Sequence, residues 1–163
     1  MDFTGESNEK LKAFAENAKD KKKKTILVMQ QGGATAMGFW KKNCDAILVS
    51  FFGGEQWAPA TFNILYGYIN PSGKLPVSMP ETDKDQVLTP EQYPGVNNVS
   101  VYSEGFQIGY RMYDMQNKTP AYPFGYGLSY TNFQYDASTF KMSNQTISMN
   151  VTNIGHLFGK EVV

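Results

Sequence analysis

The sequence predicts an α/β fold: an open, mostly parallel sheet flanked by helices as an α/β sandwich, followed by a segment of half-buried β structure. Three observations carry this expectation. Two apolar runs, Thr25-Ile26-Leu27-Val28-Met29 and Ala46-Ile47-Leu48-Val49-Ser50-Phe51-Phe52, each lead to a Gly-Gly pair, the pattern of parallel strands buried on both faces. A helix precedes the first run and a connection separates the two, as in an open α/β sheet with right-handed crossovers. Near the C-terminus the period changes, and Ile147, Met149 and Val151 alternate with polar residues.

The elements follow in order along a chain of 163 residues, the length of one ordinary domain. Over residues 7–24, Leu11, Phe14, Ala15 and Ala18 recur at helical spacing. Ser7 or Asn8 can cap that helix, and five lysines between positions 19 and 24 sit at its negative end, where a solvated, charged helix terminus is expected. Strands are predicted at residues 26–29 and 47–51, joined through a short connection that carries Met37 and Trp40 and admits a helix. Pro59 near its start and Gly67 at its stop mark a helix over residues 58–67, with Phe62, Leu65 and Tyr66 on one face.

Asn70-Pro71-Ser72-Gly73 has the composition of a turn, and the strand expected at residues 74–79 is confined by Pro76 to an edge or an irregular ladder. Residues 81–98 are polar, contain Pro90 and Pro94, and read as a long surface loop. Residues 120–133 interleave Tyr122, Phe124, Tyr126, Tyr130 and Phe133 with Pro120, Pro123, Gly125 and Gly127, which excludes a helix. The rings are expected to be buried, so that Phe124→Ala or Tyr126→Ala would cost about 3–5 kcal/mol. Rings set among Gly and Pro also line sugar pockets. Short strands are predicted at residues 129–135 and 139–142, ahead of the alternating segment.

Composition narrows the function. Acidic and basic residues number 15 each, which leaves no pull toward nucleic acid or an anionic membrane, and neither is an expected partner. No segment approaches 18 apolar residues. Cys44 is the single cysteine and His156 the single histidine, so an intrachain disulfide, a cysteine-based metal site and a histidine-dependent triad are not expected. Neither GxGxxG nor GxxxxGK[ST] is present, and no metal or cofactor is predicted. Asn98, Asn117, Asn144 and Asn150 each open an Asn-x-Ser/Thr triplet, which favours a secreted or lysosome-like location.

Three ordered blocks resemble one known family. Tyr102-Ser103-Glu104-Gly105-Phe106-Gln107-Ile108-Gly109-Tyr110-Arg111-Met112-Tyr113-Asp114, the later Pro123-Phe124-Gly125-Tyr126-Gly127-Leu128-Ser129-Tyr130-Thr131 run, and Gly67-x-x-Asn70-Pro71-Ser72-Gly73-Lys74-Leu75-Pro76 are similar to the C-terminal half of glycoside hydrolase family 3, which includes β-glucosidases. The resemblance runs from about Leu11 onward. It implies a C-terminal α/β domain over residues 1–135 and, over 136–163, the start of a fibronectin type III-like β-sandwich. A sandwich needs about seven strands and at most two or three can fit here, so the expectation is of a piece of a longer protein or a truncated product.

The resemblance also implies a chemistry. Retaining hydrolysis of a glycosidic bond uses two carboxyl groups about 5 Å apart, one as nucleophile and one as acid then base. In the family a barrel domain supplies the nucleophile, so none is assigned within this chain. Glu6-Ser7-Asn8-Glu9-Lys10 can be laid on the family's Glu-Gly-x-Asp-Arg, which makes Glu6 the acid/base candidate, although the glycine is missing and the interval to the first strand is shorter. The family's Trp-Tyr-Pro-Gly-Gln-Glu after the second strand stands here as Phe51-Phe52-Gly53-Gly54-Glu55-Gln56-Trp57, with acid and amide exchanged. Ligands bind at strand ends of open α/β sheets, so Glu55, Gln56 and Trp57 are the substrate-binding candidates. The implied partners are a carbohydrate substrate and a family 3 barrel in cis or in trans, and the implied function is part of an O-glycosyl hydrolase acting on terminal β-D-glucosides. The alternative is a non-catalytic carbohydrate-binding or interaction remnant. Glu104 and Arg111 are expected to pair and fix their loop.

Overall fold

The computed structural model describes residues 6–85 and 88–163, apart from the side chains of Glu6 and Ser7. In chain order the elements are α1 (Glu6–Asp20), β1 (Ile26–Gln30), α2 (Gly38–Asn43), β2 (Ala46–Ser50), α3 (Trp57–Leu65), a 3₁₀ turn (Asp83–Asp85), α4 (Tyr110–Met115), β3 (Phe133–Ser143) and β4 (Thr146–Asn153). They divide into two compact units. One comprises residues up to Gly53 together with Leu75–Tyr126, the other Gly54–Lys74 together with Gly127–Val163.

In the first unit β1 and β2 pair in parallel, from Ile26 opposite Ala46 to Gln30 opposite Ser50, as the two apolar runs predicted. The class is α/β, with a small parallel sheet of two strands among the described residues. The core is built by Ala15 of α1, Met29 of β1, Met37, Trp40 of α2, Met79 and Ala121, and Leu27, Ile47 and Val49 pack against it. Successive strand residues point to opposite faces, so Leu27 and Met29 with Ile47 and Val49 line a single core face. Burial on both faces is therefore corrected: Ile26 is exposed, and Val28 and Leu48 are half-buried.

The packed face of α1 also differs from the apolar stripe. Asn8, Ala15 and Ala18 are buried, whereas Leu11 and Phe14 are exposed. Small residues were selected where the helix meets the core, and the large ones lie on its shoulder. Ser7 and Asn8 fall inside the helix rather than at its cap. Lys19 closes its last turn and donates to the Lys42 carbonyl at 2.7 Å, so it satisfies an orphan acceptor at the end of α2, as the dipole argument expects.

Helix α2 has no side-chain cap; the Pro80 and Glu81 carbonyls accept the Met37 and Gly38 N–H groups, both at 2.9 Å. This fixes residues 79–81 beside the sheet. The predicted strand at 74–79 becomes an irregular antiparallel zip to the aromatic stretch, with Met79 N–H donating to the Tyr122 carbonyl and Gly125 N–H to that of Leu75, each at 2.8 Å. Pro76 lacks the donor a regular ladder would need. Burial of the aromatic stretch is corrected as well: Phe124 is 52% exposed and Tyr126 and Tyr130 are exposed, while Tyr122 and Phe133 are half-buried. Beyond the loop expected at residues 81–98, the chain forms the unpredicted helix α4, which buries Tyr113. Glu104 does not pair with Arg111. It accepts from Gln92 Nε2 at 3.0 Å, and the Arg111 guanidinium lies 5.7 Å from the Tyr110 ring centre.

In the second unit α3 ends where predicted, with Gly67 at φ 76° beyond Tyr66 and its N–H on the Ile64 carbonyl, a left-handed stop that glycine adopts without a steric cost. Phe62, Leu65 and Tyr66 are exposed, and Phe62 stacks on Tyr66 at 4.4 Å. Residues 70–73 form no turn. Asn70 instead spans the unit: its Oδ1 accepts from Ser129 Oγ at 3.0 Å and Tyr130 N–H at 2.8 Å, and its Nδ2 donates to the Phe158 carbonyl at 3.1 Å. The two short strands expected at 129–135 and 139–142 are one bulged strand, β3, antiparallel to β4, with the register shift between Asp136 and Lys141. Side chains satisfy the bulge. Asp136 Oδ1 accepts from Ser138 N–H and Oγ, and Thr139 Oγ1 accepts the Asn150 N–H.

Candidate functional site

The C-terminal ends of β1 and β2 are the edge at which open α/β sheets take ligands. Gln31 N–H donates to the Ser50 carbonyl at 3.2 Å and carries the parallel ladder one step further. Its side chain is buried: Nε2 lies 3.7 Å from Met79 Sδ, and Oε1 has no hydrogen-bond partner. Beyond it Gly32 leaves room for Phe52, whose ring edge comes to 3.1 Å from the position a Cβ at Gly32 would occupy. Phe52 itself is 85% exposed. The strand end thus presents an aromatic face on a glycine floor.

The connection that follows carries Glu55, Gln56 and Trp57 into α3. Glu55 is exposed in a turn, and Trp57 is half-buried as the first helical residue. Gln56 occupies the cap position without a side-chain cap bond; its carbonyl accepts the Ala60 N–H at 3.1 Å, and the Gly54 carbonyl accepts the Trp57 N–H at 3.3 Å. Backbone groups therefore make these start-of-helix bonds. Glu6 opens α1, and its side chain lies outside the described residues. The predicted site residues belong to two units, Glu6 to the first and Glu55, Gln56 and Trp57 to the second.

Chemically, this connection offers one exposed carboxylate, one amide and one aromatic ring, a set suited to hydroxyl groups and the apolar face of a sugar. It supplies one carboxylate where retaining hydrolysis needs two. Sequence reasoning passed over Gln31 and Phe52 because both read as the ends of apolar strand runs. Their signal was position alone, the last residues before each Gly-Gly pair.

The perturbed acids lie elsewhere. At the start of the strands Lys24 Nζ sits 2.6 Å from Asp45 Oδ1 and the Thr25 N–H 2.9 Å from Oδ2; the ammonium and the amide hold the Asp45 carboxyl below its ordinary value, and the carboxylate raises Lys24. Burial pushes the neighbouring Cys44 thiol up, against nucleophilic use. In the second unit the Tyr135 hydroxyl donates to Glu161 Oε1 at 2.8 Å, with Lys74 Nζ 3.2 Å from the same oxygen; both contacts lower Glu161, and the bond to Glu161 raises Tyr135. A cleft of about 430 Å³ in the same unit is lined by Tyr68, Ile69, Asn70, Tyr130, Leu157 and Phe158 among others. Among the described residues no His, Cys, Asp and Glu side chains gather in a group of three that could hold a metal, and no helix is long and apolar enough to cross a membrane.

Residues 2–130 match the glycosyl hydrolase family 3 C-terminal domain. The probable beta-glucosidase K of Emericella nidulans is 38% identical over 138 residues, covering 85% of this chain and 16% of that protein. A beta-glucosidase of Kluyveromyces marxianus is 34% identical over 166 residues, covering 100% of this chain and 19% of that protein. The crystal structure of DesR, a beta-glucosidase from Streptomyces venezuelae in complex with D-glucose, superposes with a TM-score of 0.78 at 35% identity, over 89% of this chain and 19% of that one. The chain thus spans between 16% and 20% of the length of the curated relatives it matches. It belongs to glycosyl hydrolase family 3, whose C-terminal domain it carries.

Proposed function

We propose that the chain is part of a glycosidase that hydrolyses terminal β-D-glucosides, and that it supplies loops over the sugar pocket while a family 3 barrel, in cis or in trans, supplies the nucleophile. The observation that carries this reading is the connection into α3, where exposed Glu55 and Gln56 precede half-buried Trp57. Trp57 offers a stacking face to a pyranose, and Glu55 and Gln56 offer hydrogen bonds to its hydroxyls. Glu6 is the acid/base candidate. Residues 1–135 act as the α/β sandwich domain and 136–163 as the opening of a fibronectin type III-like β-sandwich, a reading supported by the antiparallel hairpin of β3 and β4.

Acid catalysis alone contributes about 10²–10⁴-fold, far below the roughly 10⁶-fold or more that enzymes reach. The isolated chain is therefore expected to be silent on an aryl β-glucoside, and activity is expected to appear when a family 3 barrel is added. In the restored enzyme Glu55→Gln and Trp57→Ala should raise KM. Turnover by the chain alone that disappears in Glu55→Gln or Glu6→Gln would overturn the division of labour. The second reading, non-catalytic sugar binding, rests on the exposed rings of Phe62, Tyr66 and Tyr68, with Phe62 stacked on both tyrosines. It predicts glucose binding by the chain that persists without a barrel and is lost in Phe62→Ala.

A further inference from the structure

We propose that Asn144 is an acceptor for an N-linked oligosaccharide, and the preferred one among the four Asn-x-Ser/Thr triplets. Strand β3 ends at Ser143 and β4 begins at Thr146, so Asn144 and Gln145 are the whole of a two-residue hairpin turn. Ser143 and Thr146 pair across it, and Asn144 has φ 52°. That is the left-handed region, which asparagine tolerates because its short amide bonds locally. Asn144, Gln145 and Thr146 are all exposed, so the triplet stands on a convex tip where an approaching enzyme meets both the amide and the hydroxyl.

Asn98, in the turn between paired Val96 and Val99, and Asn117 share the left-handed backbone, with φ 61° and 50°, so the distinction lies in how the rest of each triplet is held. In that of Asn98 the Ser100 hydroxyl donates to the Pro94 carbonyl at 3.3 Å. Asn117 is wound onto the end of α4, with its own N–H on the Asp114 carbonyl and the Lys118 N–H on that of Tyr113. Asn150 lies within β4 opposite Asp136, and its N–H is bound to Thr139 Oγ1. An extended strand does not fold the asparagine amide toward the hydroxyl two residues on, as a turn does. A glycan on Asn144 would also cover apolar surface. Directly behind the tip, the cross-strand pair Met142 and Ile147 is 71% and 66% exposed, an apolar spot on a hairpin edge.

The donor is a lipid diphosphate-linked oligosaccharide. A bond forms between Asn144 Nδ2 and the anomeric carbon of the reducing-end sugar, the bond from that carbon to the diphosphate breaks, the lipid diphosphate leaves, and one amide proton passes to solvent. No oxidation or reduction occurs. The test is translation of the complete chain behind a cleavable secretory signal in the presence of microsomes, followed by endoglycosidase digestion and peptide mass analysis. The expected result is an endoglycosidase-sensitive band that is lost in Asn144→Gln and also in Thr146→Val, which keeps Asn144 and the β-branched strand residue in place, while Asn150→Gln leaves the band unchanged. An unmodified Asn144 in translocated chain, or a band that survives Thr146→Val, would overturn the proposal.

Discussion

Asn70→Ala should loosen the second unit at one identifiable point. The Asn70 amide makes three hydrogen bonds, to Ser129 Oγ, the Tyr130 N–H and the Phe158 carbonyl, with partners 59, 60 and 88 residues further along the chain. Each such bond contributes about 0.5–1.5 kcal/mol net, an upper total near 4.5 kcal/mol. Tyr130 and Phe158 are exposed, so water recovers part of this, and about 2 kcal/mol is expected. Since about 1.4 kcal/mol is a factor of ten, the Tyr130 amide should exchange with solvent roughly 30-fold faster in the variant, by local opening rather than global unfolding.

Asn70→Asp separates the contributions. It keeps the oxygen that accepts from Ser129 and Tyr130 and removes the donor to Phe158, so exchange at Tyr130 should rise only a few-fold while protection near Phe158 falls. Native-state hydrogen exchange read residue by residue checks both. If Asn70→Ala accelerates Tyr130 by less than about threefold, or if Asp is as disruptive as Ala at that amide, Asn70 is not the tie that the hydrogen bonds describe.

Met79 is fully buried in the core, so Met79→Ala should cost about 2–5 kcal/mol, read as a fall in the urea midpoint with an unchanged slope. Phe124 is half exposed and touches Tyr110 at 5.1 Å between ring centres; Phe124→Ala should therefore cost about 1 kcal/mol, and a loss of 3 kcal/mol or more in the same assay would mean the ring is buried in solution. Because the Asp45 carboxyl is depressed by Lys24 and the Thr25 amide, its stabilisation is present above the ordinary carboxylate pKa of about 3.9 and is lost as pH falls through the lower folded value. Lys24 is raised, so its share is present below about 10.4 and is lost as pH rises through the higher folded value. The difference in urea midpoint between the protein and Asp45→Asn should be flat between about pH 5 and 9 and close at either end; a gap that widens in acid would contradict the pairing.

The parallel pair was legible because each run has strand length, β-branched composition and a Gly-Gly end, all local properties. The packed face of α1 was not. Hydrophobic periodicity selects Leu11 and Phe14, yet Ala15 and Ala18 are buried where the helix meets the core, and side-chain size at a close contact outweighs hydrophobicity there. Asn70 misled for a related reason. Asn-Pro-Ser-Gly is turn chemistry taken alone, but the amide finds three partners far along the chain, and no local window contains them. The insertion of α4 between Gly109 and Gln116 had no apolar stripe long enough to announce it.

The candidate site was legible only where a rule of position applied. Strand ends of an α/β sheet bind ligands, which singled out Glu55, Gln56 and Trp57, and the same rule applied to Gln31 and Phe52 would have included them. The aromatic residues raise a different point. Phe52, Phe124 and Tyr126 of the first unit are rings that composition assigns to an interior, and the structure leaves them exposed. Large apolar side chains left open to water are a common mark of surfaces where something binds. The proposed division of labour accounts for these rings without a further assumption, because loops that cover a sugar pocket built on another domain must keep their apolar faces open until that domain and the sugar meet them. Under that reading, adding a family 3 barrel should quench or shift tryptophan and tyrosine fluorescence and lower dye binding to apolar surface in parallel with the appearance of activity. Activity that appears while dye binding stays constant would place these rings outside the assembled pocket.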